Sequence, residues 1–89
     1  MIDDDEQGTV DKLADHFGLT SAEAGLASAF VREGSLRVAA KRQGLTDGTA
    51  RQYLKRIFRK SGTHNQATLM KVLVLTLLGR VLAISGPAR

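Results

Sequence analysis

The chain of 89 residues is 43% apolar and 25% charged, which is enough for one small domain and too short for two. It has no cysteine, its two histidines (His16 and His64) are far apart, and its most apolar uncharged run, Val72 to Gly79, is short. A disulfide framework, a thiolate or zinc site and a membrane span are therefore not expected. The net charge of +4 is unevenly divided: residues 1–33 carry eight acidic and two basic side chains, whereas residues 34–89 carry one acid, Asp47, and eleven bases. A half-chain of that kind is the electrostatic footprint of a protein that meets a polyanion.

The first eight residues read as a flexible acidic arm. Met1 and Ile2 are followed by Asp3, Asp4, Asp5 and Glu6, the reverse of a secretory leader, so a cytoplasmic protein, held in the nucleoid, is expected. The single domain expected over residues 9–89 begins with a short helix from Thr9 to Phe17. Val10, Leu13, Ala14 and Phe17 recur there at spacings of three and four, and Gly18 stops it. A second helix starts at Thr20, whose partner Glu23 completes a capping box, and its apolar stripe is Leu26, Ala29 and Phe30 with Val31 beside it. Glu33 and Gly34 end it.

Ser35 caps a short third helix, in which the small side chains of Ala39 and Ala40 allow close packing. Gly44 terminates it. Thr46 caps a fourth helix that turns Ala50, Leu54, Ile57 and Phe58 inward and Arg51, Gln52, Lys55, Arg56 and Arg59 outward. Ser61, Gly62 and Thr63 break the pattern, and a last helix runs from about Asn65 to Ile84. Val72 to Leu78 would suit a strand by composition. No second strand exists to pair with it, so it is read as helical, and the fold class is all-α with four to five helices.

Two short helices joined by a tight glycine turn, the second with a basic outer face, describe a helix-turn-helix over residues 35–60. Base edges are expected to meet Arg51, Gln52 and Lys55, in the first turns of the second helix. Phosphates are expected at Thr46 and Thr49, beside the helix start, and at Arg56, Arg59 and Lys60 further along.

The motif pieces are Leu19-Thr20-x-x-Glu23, Ala40, Gly44-Leu45-Thr46-x-Gly48-Thr49-Ala50-Arg51 and Leu54-Lys55-x-Ile57-Phe58-x-Lys60-x-Gly62. In that order they resemble the LuxR/GerE-type helix-turn-helix domain of bacterial transcription regulators, over residues 19–70. The string Ser61-Gly62-Thr63-His64-Asn65-Gln66-Ala67 is similar to a branch of the family common in alphaproteobacteria. The resemblance implies a four-helix domain whose third helix enters the major groove of double-stranded DNA and whose fourth pairs two copies. It places base contacts on Arg51, Gln52 and Lys55, and phosphate contacts around Thr46, Thr49, Arg56 and Lys60. The sequence departs from the family at four positions. Gln43 and Ser61 stand where leucine is usual and partial burial is expected, Tyr53 replaces a histidine, and Gln66 replaces an arginine.

From Leu69 to Ile84 only Lys71 and Arg80 are charged. A helix apolar on two faces implies a partner, and a homodimer through Met70, Val74, Leu77, Leu78 and Val81 is expected. The competing reading folds the helix of residues 9–17 over this face. Enzyme chemistry is not expected: Gly34, Gly44 and Gly48 follow no strand, Asp15 and His16 have no third partner, and no cofactor or metal is implied. The alternative function is a protein-interaction module on the same fold, binding a sigma factor, RNA polymerase or another regulator through the apolar last helix or the basic face.

Overall fold

Five helices make up the computed structural model, which describes the backbone of residues 2–85 and the side chains of residues 7–79. They are α1 (Ile2–Phe17), α2 (Ser21–Glu33), α3 (Leu36–Arg42), α4 (Asp47–Ser61) and α5 (Gln66–Ser85). The protein is all-α, with no strand among the described residues. Residues 72–78 are helical, as the lack of a pairing strand predicts.

The starts of α2, α3 and α5 and the turn between α3 and α4 have local chemical causes. Thr20 Oγ1 accepts the Glu23 N–H at 3.1 Å, and Glu23 Oε1 accepts the Thr20 N–H at 3.0 Å, completing the capping box at the start of α2. Ser35 caps α3 by accepting the Val38 N–H at 3.2 Å, and Asn65 caps α5 by accepting the Thr68 N–H at 2.8 Å. The turn between α3 and α4 depends on Gly44, whose φ of 71° lies in the left-handed region. It lets the Leu45 N–H reach back to the Ala40 carbonyl at 2.9 Å.

α2 is the hub, packed against each of the other four helices. The sequence pattern predicts one apolar stripe on it; in the structure Glu23, Ala24, Leu26, Ala27, Ser28, Ala29 and Phe30 are all buried. The reason is side-chain size. Gly25, Ala27, Ser28 and Ala29 let neighbours approach from several sides, so burial there is not confined to one face.

α1 differs from expectation at its start. It begins at Ile2 and takes in the stretch expected as a flexible arm. Negative residues are the type a helix N-terminus favours, and four acids stand there in the sequence; their side chains lie outside the described residues. Further along, α1 buries Leu13 completely, packs Val10, Ala14 and Phe17 against the core, and lies against both α2 and α5.

That packing revises the expected dimer face. Leu69 and Leu73 are fully buried, and Met70 and Leu77 pack half-buried against the chain's own core. Val74 is also half-buried, and the Val81 side chain lies outside the described residues. Of the five expected interface residues, only Leu78 is shown exposed, at 51%, and it is joined by Leu75, at 54%. The physical reason is that α1 supplies α5 with a cover inside the same chain.

α1 is thus part of the core. Leu13→Ala is expected to lower unfolding free energy by about 2–4 kcal/mol in urea titrations. A change below about 0.5 kcal/mol would mean that α1 is only loosely attached.

Candidate nucleic-acid interface

The basic face of α4 is built by what lies behind it. Ile57 is buried, and Ala50, Tyr53, Leu54 and Phe58 pack against the core. This fixes the helix rotation. Arg51, Gln52, Lys55, Arg56 and Arg59 then fall together on one exposed stripe, at the spacing of successive helical turns. No ion pair among the described residues occupies Arg51, Lys55, Arg56 or Arg59. All three expected base-reading side chains and two of the expected phosphate cations therefore share one solvent-facing surface.

Lys60 does not belong to that surface. Its Nζ donates to Glu23 Oε1 at 2.8 Å, and its side chain is 27% exposed. The expected phosphate contact is instead an internal tie between α4 and α2. The cause is a neighbour distant in sequence: Glu23 is 1% exposed and needs a cation to remain charged there. Burial disfavours the Glu23 carboxylate. The hydrogen bonds from Lys60 and the Thr20 N–H, with the positive charges of Lys60 and Arg56, outweigh that and hold its pKa below the ordinary value.

Thr46 is also committed. Its Oγ1 accepts the Thr49 N–H at 3.2 Å, and its hydroxyl lies 3.1 Å from Thr49 Oγ1 as donor. That leaves the Thr49 hydroxyl proton as the side-chain donor at this end of α4. Asp47, the single acid of the basic half, stands exposed in the first turn. It stabilises the helix start and repels any phosphate placed directly before it.

α3 contributes cations that the sequence reading passed over. Arg37, Lys41 and Arg42 are exposed, although Arg42 Nε lies 3.5 Å from Glu33 Oε2. Their alternation with the buried Ala39 and Ala40 is the signal that could have placed them outward. Between α3 and α4 runs a groove of about 260 Å³, with Arg37, Asp47 and Arg51 around apolar side chains of α2, α3 and α4.

The four positions that depart from the LuxR/GerE-like pattern have distinct settings. Gln43 is exposed, against the expected partial burial, because it stands at the C-cap of α3; its Oε1 lies 2.9 Å from where a Cβ on Gly25 would be. Ser61 is half-buried as expected, with its hydroxyl 3.3 Å from the Phe58 carbonyl oxygen and 2.8 Å from Thr63 Oγ1. Tyr53 packs on the core, whereas Gln66 and His64 are exposed. No family model matches this chain, and no curated protein or solved structure is detectably similar to it.

The Glu23–Lys60 bond has a measurable signature. Because the folded pKa of Glu23 is lowered, its contribution is present above the ordinary carboxylate range and is lost as pH falls from that range through the lower folded value. Glu23→Ala removes both the pair and half of the capping box, and is expected to cost about 2–4 kcal/mol at neutral pH. The gap to the wild type should narrow from about pH 5 downward. A gap constant with pH would contradict a charged, bonded Glu23.

Proposed function

We propose that the protein is a LuxR/GerE-type transcription regulator that binds double-stranded DNA in a sequence-specific manner. α4 enters the major groove. Arg51, Gln52 and Lys55 meet base edges, while Arg56, Arg59 and the Thr49 hydroxyl meet phosphates. The observation that carries this reading is the exposed stripe of α4: four cations, none of them in an ion pair among the described residues, with an amide placed among them. Cations alone serve any polyanion; Gln52 adds the paired donor and acceptor that can discriminate an adenine edge. Arg37 and Lys41 on α3 extend the positive surface.

Two copies bind together, through α5. Leu75 and Leu78 are one turn apart and exposed, which gives a two-fold contact its apolar centre. The same exposed leucines favour a second reading, a protein-interaction module whose partner is RNA polymerase or another regulator. No helix among the described residues is long and apolar enough to cross a membrane.

Fluorescence anisotropy on duplex DNA at several salt concentrations separates the roles. Arg51→Ala or Lys55→Ala is expected to lose about 1–3 kcal/mol on a preferred site and to relax its sequence preference. Arg59→Ala should weaken all duplexes alike and reduce the salt slope by about 1. Equal losses on preferred and random DNA for all three variants would contradict the assignment. Leu78→Asp, at an exposed position, should give a folded monomer by sedimentation. An unchanged dimer would move the interface elsewhere, and a wild-type monomer that still reads DNA would remove it.

A further inference from the structure

We infer that the groove between α3 and α4 is a binding site for a small monocarboxylate with an aromatic or branched aliphatic body. The groove brings two chemistries together. Its floor offers Leu36, Ala50 and Leu54, all only half-buried, so apolar area remains to be covered there. Its rim carries Arg37, Arg51 and Asp47, all exposed. Neither guanidinium lies within ion-pair distance of a carboxylate among the described residues, Asp47 included.

Two cations and one anion leave the rim with one positive charge to answer, which a single carboxylate does, in the bidentate geometry that a guanidinium favours. A neutral apolar molecule would leave that charge unanswered. A bare phosphate would leave the floor uncovered. The volume of about 260 Å³ falls just under the range of drug-sized pockets, so the occupant is a small molecule. The site itself does not depend on DNA binding. Its consequence rests on the proposed DNA reading: a carboxylate on Arg51 takes one of the base-reading groups, so ligand and duplex compete.

The test is a titration of the full chain with phenylacetate, followed through backbone amide NMR signals. Acetate and phenylethanol serve as the charge-only and body-only controls. Phenylacetate is expected to shift the amides of Leu36, Arg37, Ala50 and Arg51, with at least roughly fivefold tighter binding than either control. Arg37→Gln, at an exposed position, and Ala50→Met, which fills the floor, should each weaken phenylacetate by roughly fivefold. Equal shifts with acetate, equal shifts with phenylethanol, or shifts spread over Arg56 and Arg59 would overturn the site. Duplex affinity measured with and without phenylacetate reads the competition separately. There, an unchanged affinity for a duplex that the wild type does bind overturns the competition alone.

Discussion

The fold turns on one buried carboxylate oxygen. Glu23 Oε1 accepts the Thr20 N–H at 3.0 Å and the Lys60 ammonium at 2.8 Å. One bond starts the hub helix α2, and the other ties α4 to it. A carboxylate that is 1% exposed is tolerated only with such partners. Each partner is needed for a different reason: the N–H completes the cap, and the ammonium supplies the countercharge. Removing either leaves a buried polar group short of a bond. That makes the pair a constraint on geometry more than a source of stability.

The basic surface follows from that constraint. Ile57 and its apolar neighbours set which face of α4 turns inward, and the Lys60 tie holds the last turn against α2. The cations left outward make no such bond, although the charge of Arg56 still acts on Glu23. Burial and exposure along α4 thus sort its charges into one structural lysine and four solvent-facing cations. On the proposed reading this sorting prepares the helix for DNA, since a recognition helix must meet the groove with its rotation already fixed. The exposed acid at the start of α4 works the other way, restricting where a phosphate can sit.

Much of this was legible in the sequence, wherever the cause was local. The caps at Thr20, Ser35 and Thr46 depend on residues three positions apart, and all three form. The α4 stripe follows from helical period alone. What could not be read depends on contacts between distant residues. Lys60 has the same local setting as Arg59, and only the approach of Glu23, 37 positions away, distinguishes them. The broad burial of α2 was hidden for the same reason, whereas the half-burial of Met70 and Leu77 follows the competing reading, in which the helix of residues 9–17 folds over that face. Helical period gives a face, but how many neighbours a small-residue helix collects, or whether an internal helix or a partner covers α5, is decided by packing across the whole chain. Gln43 is exposed where the resemblance implies partial burial, with its amide end lying beside Gly25 of α2.

On the proposed reading, the outer stripe of α4 reads a DNA sequence. The most direct measurement is selection from a pool of mixed-sequence duplexes at two salt concentrations, with the bound species sequenced. The account predicts retention that falls steeply with salt and an enriched half-site, repeated in inverted orientation if two copies bind. Salt-sensitive retention with no enriched sequence, or no retention even at low salt, would contradict it.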